Sequence, residues 1–544
     1  TLQATDYYSD ENKVIRITQQ TADGIAINKA IKYLRSVGGG KLHVPKGIYR
    51  VYGYLEPIDF PCVIYGDGAS SLLKNCDNSP TDRSGYGIFI VQPGNYEEIT
   101  ICDLKLDGNA DVRTKPTAEH RVYPLAVHGV PCFRMINITS VNSPIDCFYT
   151  AYKQFDSNVY VKSLNCTFDR SFRNVVSLVA GDNQYHVNMT ATRGGWVHGG
   201  INPRMCLDIE PNISSLAITN LNFVNCTFAY ARSQVAGGHW GEAKFANCTF
   251  SAEEDMGGDT EHQAPWLLSL TDGQYLLSNC KFQGHKKWAD NVVTDFGLYA
   301  GGSPYKDTQY LKLHDCHFEN CGFFGRGIYT ELVNCTARNS LYPFIFTGAS
   351  GTNEAPYNNL YIRNLRLINV FNGDGDIGIY SAFNISNNVK GIIDVDGVTA
   401  EIDLATLPKL DKTLFTSTVH FGVYIDTSGA INNKKRAVIK NVYSEGYYKR
   451  LPAFLGVATN AGSYRDWYSP NLPPENTIKL TAAVTGTVTD GAVSSTVSGT
   501  TATGTLTNKA ITGTATENSN LSTRILGNIT TAIWKDCSMW GNYD

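Results

Sequence analysis

The segment Arg204-Met-Cys-Leu-Asp208-Ile-Glu210-Pro211 is where residue types and spacing first suggest chemistry. Strand alternation that turns Met205, Leu207 and Ile209 inward leaves Asp208 and Glu210 on one outer face. Two residues along a strand span about 6.6 Å. Glycoside hydrolysis needs paired carboxyl groups on that scale, one a protonated acid and one an ionised base or nucleophile. Mutual repulsion and partial burial would drive their pKa values apart. A separation above about 6.5 Å favours inversion, because water must fit between, although rotamers change the spacing by several Å. The plain alternative is a solvated strand with two charges. Against it, outward positions elsewhere in the chain are mostly Thr, Asn and Ser.

Segments one repeat before and after offer partners. Gly181-Asp182-Asn-Gln184-Tyr185-His186 precedes the acid pair, and Gly237-Gly238-His239-Trp240-Gly241-Glu242 follows it. Stacking would bring His239, Trp240 and Glu242 beside Asp208 and Glu210. Trp240 offers a flat apolar face to a sugar ring, or simply packs. Asp182 is a substrate contact or a turn residue. Arg204 and Arg193 suit an acidic sugar, or are surface charges. The acidic stretch Glu253-Glu-Asp-Met-Gly-Gly-Asp259-Thr-Glu261-His262-Gln263 reads as a loop between repeats, and its spacing fits no EF-hand. Gly373-Asp374-Gly375-Asp376 reads as a turn. Gly237-Gly238 forms no phosphate loop, and no dinucleotide fingerprint or metal-ligand spacing stands out, so no cofactor or metal is expected.

The elements that must hold these residues repeat. Leu164-Asn-Cys166-Thr-Phe168, Val224-Asn-Cys226-Thr-Phe228, Ala246-Asn-Cys248-Thr-Phe250, Ser278-Asn-Cys280-Lys-Phe282, His314-Asp-Cys316-His-Phe318 and Val333-Asn-Cys335-Thr-Ala337 share one pattern. Neighbouring cysteines of the set lie 19 to 60 residues apart, a periodicity of solenoid type. Cys and Phe two apart share one face of a strand. The Asn before them suits a bend, since it tolerates unusual φ and bonds the backbone. Stacking puts Cys on Cys, Phe on Phe and Asn on Asn, which is a parallel β-helix. The competing reading is a β-sandwich with chance repeats. Helical repeats are excluded, since 3.6-residue periodicity is nearly absent beyond residue 36. The Asn-Cys-Thr triplets also match a glycosylation sequon, but turn geometry explains their recurrence more simply. By the same logic the cysteines are buried thiols rather than disulfides.

One helix is expected over about 23–36, capped by Asp23, with Ile27, Ala30, Ile31 and Leu34 on one face and Gly38-Gly39-Gly40 ending it. It suits the cap of a solenoid. The expected organisation is an N-terminal cap over 1–50, a β-helix with a groove over 51–468, and a C-terminal β module over 469–544. The last is Thr-, Ala-, Gly- and Val-rich and begins at the Pro-rich Ser469–Pro474.

Composition narrows the function classes. The chain has 544 residues, of which 42% are hydrophobic and 18% charged, against about 25% charged in an ordinary domain. The apolar and aromatic content excludes a disordered chain. Net charge is −4, which argues against nucleic acid as a partner. No run of 18 apolar residues suggests a membrane span. The opening Thr1-Leu-Gln-Ala-Thr5 carries no Sec-type apolar run and reads as a trimmed chain or fragment.

The run Asp23-Gly-Ile-Ala-Ile-Asn-Lys-Ala-Ile31, then Gly38-Gly-Gly-Lys-Leu-His-Val-Pro-Lys-Gly-Ile-Tyr49, resembles the opening motif of pectate-lyase-like right-handed β-helix proteins. Within that superfamily the chain is similar to bacteriophage tailspikes, which degrade the capsule or lipopolysaccharide of the host. The opening motif spans about 30 residues and speaks for fold rather than chemistry. Leu207-Asp-Ile-Glu-Pro211 also resembles an Asp-Ile-Glu-Pro motif of some β-helix glycan-degrading proteins, in which the acids are catalytic candidates. The resemblance implies a homotrimer with a C-terminal trimerisation or receptor-binding module. It also implies attachment to a phage tail or baseplate through an N-terminal region missing here, a bacterial surface polysaccharide as partner, and a place in the virion tail. It leads to an endo-glycosidase with Asp208 and Glu210 as acid and base, roles unassigned between them. A polysaccharide lyase is the first alternative; it would need a Lys, Tyr or His base and a cation or Arg to neutralise a uronate. A non-catalytic adhesin using the same groove is the second.

Overall fold

A residue in the left-handed region, most often asparagine, sets the corner of successive coils. Asn137, Asn165, Asn188, Asn225 and Asn247 all have φ between 53° and 55°, a conformation that costs Asn less than other side chains. Their side chains form a ladder. Asn165 Nδ2 donates to Asn137 Oδ1 at 3.2 Å, Asn188 to Asn165 at 2.9 Å, Asn225 to Asn188 at 3.3 Å, and Asn247 to Asn225 at 3.1 Å. After each corner the next residue turns inward and is buried: Cys166, Met189, Cys226 and Cys248. Phe168, Ala191, Phe228 and Phe250 follow two positions on, and they share one register. Phe228 lies on Phe250 at 5.4 Å between ring centroids. The 60-residue gap between Cys166 and Cys226 therefore hides a coil in which Met189 stands in the cysteine position.

The computed structural model describes residues 21–81, 87–94, 97–116, 122–130, 132–151, 160–200, 202–211, 218–252, 266–284, 296–301, 309–340, 342–348, 358–370, 381–401, 421–426, 437–445, 453–455 and the strands between 477 and 534. The acidic 253–263 stretch, Gly373–Asp376 and the boundary expected at 469 lie outside them. The chain divides into two compact units, residues 1–264 and 265–544.

The first unit starts with helix α1, Ala22–Ser36. Its N-cap is Thr21, whose hydroxyl accepts from Gly24 N at 3.0 Å. The expected cap, Asp23, sits in the first turn and accepts instead from Arg50 N at 2.8 Å. That bond ties the helix to the strand Gly47–Val51. Ile27 and Ile31 are buried on the face that closes the first coil, and Gly38 at φ 82° lets the chain leave the helix. Parallel strands then stack coil upon coil. One ladder runs through Gly40–Val44, Cys62–Gly66, Ile99–Asp107 and Phe133–Ser143 into the Asn–Cys strands. A second ladder, which carries the acids, runs through Phe89–Val91, Leu125–His128, Phe148–Ala151, Val176–Leu178, Leu207–Ile209 and Ala236–His239. The fold is the parallel β-helix expected from the repeats.

The second unit repeats the design. Gln274–Ser278, Tyr310–His314, Tyr329–Val333, Leu360–Val370, Ile393–Glu401 and Ala437–Glu445 pair in parallel. Phe282 stacks on Phe318 at 4.5 Å, and a corner ladder of its own runs from Asn364, which donates to Asn334 Oδ1, to Asn334, which donates to Asp315 Oδ1. The C-terminal strands are antiparallel. Ile529–Trp534 pairs with Ala437–Glu445, Thr523–Leu526 with Ala453–Leu455, and Gly486–Asp490 with Val493–Val497. Every cysteine among the described residues is a free thiol. No helix among them is long and apolar enough to cross a membrane.

Candidate active site

Register alone aligns one row across the second ladder. Ile90, Ala126, Tyr149, Ser177, Asp208 and Gly237 stand over one another in successive coils. Their neighbours Leu207 and Ile209 point into the coil and are buried. Asp208 therefore faces outward, as alternation requires. Met205, expected to point inward, is instead half-buried; its sulfur lies 3.0 Å from where a Cβ on Gly237 would be. The chain has not yet entered the strand at Met205, so the period of two does not reach it.

An outward side chain on a solenoid is ordinarily wet, yet Asp208 is only 7% exposed. An apolar cover packs on the preceding coils of this row, at Ile90, Ala126 and Tyr149. Tyr52, Ala110, Val122, Tyr123, Ala126, Ile145, Phe172 and Val197 form one buried cluster, with Ile90 and Tyr149 packed on it. Tyr123 stacks on Tyr149 at 4.3 Å and 9°. Beside Val197, a His198 ring nitrogen meets the Ala110 carbonyl at 2.7 Å, so contacts made 88 positions apart help close the cover. Gly195, at φ 76°, lets this segment pass Arg204; a Cβ there would stand 2.6 Å from Arg204 Cβ.

Beside Asp208 lies a buried polar network. Asp146 is fully buried and accepts from Arg173 Nε at 3.0 Å and from a second guanidinium nitrogen at 2.5 Å. Asn174, also fully buried, donates from Nδ2 to Asp208 Oδ2 at 2.7 Å and to Ser177 Oγ at 3.1 Å. The Asp208 carboxyl is pushed up from 3.8 to about 7. Burial is the main cause, and the negative charge of Glu210 adds to it. Arg173 and the Asn174 hydrogen bond pull the other way. Asp208 is thus a carboxylic acid that holds its proton near neutral pH, as a general acid must.

Glu210 follows two residues on, exposed, with its backbone N–H bonded to Leu178 O at 3.1 Å. Ile209 pairs with Gly238, so His239 follows in the next coil where Glu210 follows in this one. His239 and Trp240 are half-buried with ring centroids 3.8 Å apart at 41°. Trp240 adopts φ 52°, rare for a bulky residue. Register thus groups Asp208, Glu210, His239 and Trp240. Glu242 lies past the corner, in Gly241–Ala246, 3.7 Å from Lys244 Nζ. Asp182 accepts from the Thr219 N–H at 3.0 Å and from its hydroxyl at 2.5 Å, a latch between coils. Arg204 is half-buried at φ 61°. Arg193 is bonded to Asp169, with Nε at 2.7 Å. Among the described residues, no group of three or more His, Cys, Asp and Glu is placed to hold a metal ion.

Sequence reasoning missed Asp146, Arg173 and Asn174. Arg173-Asn174 reads as a polar turn, and only the fold brings it 2.7 Å from a carboxylate 34 positions on.

No family model matches the chain, and no curated protein matches it. Solved structures of similar shape include tailspike protein gp49 of the Acinetobacter baumannii bacteriophage Fri1, a capsular polysaccharide depolymerase. It is 12% identical at a TM-score of 0.31, covering 94% of this chain and 83% of that one. A GH87 alpha-1,3-glucanase catalytic domain in complex with tetrasaccharides matches at 12% identity and TM-score 0.31, over 80% of this chain and 67% of that one. ORF18 of Geobacillus virus E2 matches at 13% and 0.32 over 67% of this chain, which spans 65% of that one. At these scores no activity is carried across.

Proposed function

We propose that the protein is an endo-glycosidase of tailspike type that hydrolyses a bacterial surface glycan. Asp208 is the general acid and Glu210 the base that activates water. One observation carries the reading: an outward carboxyl, buried and raised to about 7, stands two residues before an exposed glutamate just past the end of its strand. Asp208 gives its proton to the glycosidic oxygen as the bond to the anomeric carbon breaks. Glu210 takes a proton from the attacking water, and the developing cation is stabilised by the ionised partner. A separation above about 6.5 Å between the two carboxyl groups would leave room for that water and favour inversion. Trp240 and His239 border the acids and offer ring faces to a sugar, and Arg204 suits an acidic substituent. The similarity of the chain as a whole to bacteriophage tailspikes suggests the setting: a homotrimer in a phage tail, acting on capsule or lipopolysaccharide.

Digestion of purified capsules and lipopolysaccharides tests this. The expected result is new reducing ends without the ultraviolet band of an unsaturated uronate. The band would identify a lyase, and neither signal on any bound glycan would identify an adhesin. Asp208→Asn and Glu210→Gln should each fold and lose at least about a hundredfold in kcat, the scale of general acid–base catalysis. Near-normal rates in both would remove the assignment.

A further inference from the structure

Asn174 has its backbone N–H and both polar atoms of its side chain committed. Its backbone N–H donates to Asp146 Oδ1 at 3.0 Å, and its Oδ1 accepts from the Met205 N–H at 2.9 Å. A main-chain N–H can only donate, so the amide cannot be turned end for end without losing that bond. Its NH2 group must therefore face Asp208 Oδ2, at 2.7 Å, and Ser177 Oγ, at 3.1 Å. Because Nδ2 donates, Oδ2 is an acceptor along that line. The Asp146–Arg173 pair holds the backbone behind the amide, with Asp146 fully buried.

We propose that Asn174 is a positioning residue that keeps Asp208 Oδ2 as an acceptor and so places the acid proton on Oδ1. This rests on Asp208 acting as the acid. Asn174 touches no substrate in this scheme; it acts through Asp208. The hydrogen bond favours the ionised carboxyl and tempers the effect of burial, so proton transfer to a leaving group stays feasible. The buried pair behind it gives the amide a fixed origin, which a solvated asparagine on a turn would lack.

Asn174→Asp keeps the shape but removes the donor. A carboxylate there can still accept from Met205 N–H, while its other oxygen faces Oδ2 with no hydrogen unless the two acids share one. The expected result is a kcat/KM profile whose upper limb moves up by at least about one pH unit, with kcat down about tenfold or more and KM little changed. A folded Asn174→Asp enzyme with an unmoved limb overturns the proposal. Should the variant not fold, the wild-type protein decides it. With selectively labelled asparagine and aspartate, one Asn174 amide proton should shift with the same midpoint as the Asp208 carboxyl carbon. An Asn174 signal that ignores that titration overturns the proposal. The nuclear resonance readout needs no turnover, so it separates a failed positioning role from a failed assignment of catalysis, which Asp208→Asn activity reports.

Discussion

Replacing Asp208 with Asn should make the fold more stable as pH rises, relative to wild type. The folded carboxyl titrates near 7 rather than 3.8, and linkage turns that difference into a pH-dependent free energy. The folded state holds more protons than the unfolded chain between those values. Stability from this group is therefore full below about 3.8 and lost as pH climbs through 7. At about 1.4 kcal/mol per unit, the loss from pH 4 to pH 8 approaches 4 kcal/mol. No large discount for solvent applies, since Asp208 is only 7% exposed. Asn at 208 never ionises, yet it can still accept from Asn174 Nδ2. The assay is denaturant unfolding of both proteins at a series of pH values, fitted only where unfolding is reversible. The quantity of interest is the difference between variant and wild type, in which all other titrations cancel. It should grow by about 3–4 kcal/mol between pH 4 and 8. A difference that stays flat would mean that the carboxyl is hydrated in the folded protein, and the argument from burial to a neutral acid would fall with it.

Three further outcomes test the packing. His186 is fully buried beside Phe223, with Nδ1 2.8 Å from Ser163 Oγ, and burial lowers its pKa from 6.5 to about 3. Its contribution is full above pH 6.5 and lost as pH falls towards 3. His186→Leu should therefore gain about 2 kcal/mol on wild type between pH 7 and pH 5, measured by the same unfolding series. Phe228→Ala, which breaks the stack on Phe250, should cost about 3–5 kcal/mol and lower Tm without changing KM. Asn225→Ala removes a rung that both donates to Asn188 and accepts from Asn247, at φ 54° where alanine is strained. A loss of about 2 kcal/mol is expected in denaturant melts. Asn225→Gly should recover the share due to strain.

The coil was legible because its rule is local. Asn at the corner, then an inward residue, then an aromatic two positions on, needs no knowledge of distant chain. Even the hidden coil at Asn188-Met189 keeps the corner and the inward residue, with Ala191 standing in the aromatic position. The helix cap was misassigned because Thr21 and Asp23 both suit the role by type. The choice turned on Arg50 N, which engages Asp23 from 27 positions away. Alternation likewise put Asp208 on the outer face, opposite the buried Leu207 and Ile209, while Glu210 falls just past the strand. What it could not supply was the environment of that face. Strand periodicity tells in from out, and on a solenoid out is normally wet. What surrounds Asp208 comes from far along the chain: Asn174, 34 positions earlier, bonds its carboxyl, and Ser177 stands beside it in the preceding coil.

In the proposed scheme the two carboxyl groups differ in duty because they differ in burial. They lie two residues apart on the same stretch of backbone, so their spacing alone does not separate them. Asp208, at the end of the strand row through Tyr149 and Ser177, is buried, and two residues further, at Glu210, the chain is exposed. That contrast is enough to raise one acid and leave its neighbour in water. The proposed division of labour therefore depends on how the chain leading into this strand is packed, where Gly195 meets Arg204, as much as on the acids themselves. Loosening that segment, as a bulky residue at Gly195 against Arg204 would do, should let water reach Asp208, lower its pKa towards 3.8, and shift the upper limb of the activity profile to lower pH while both carboxyl groups remain in place.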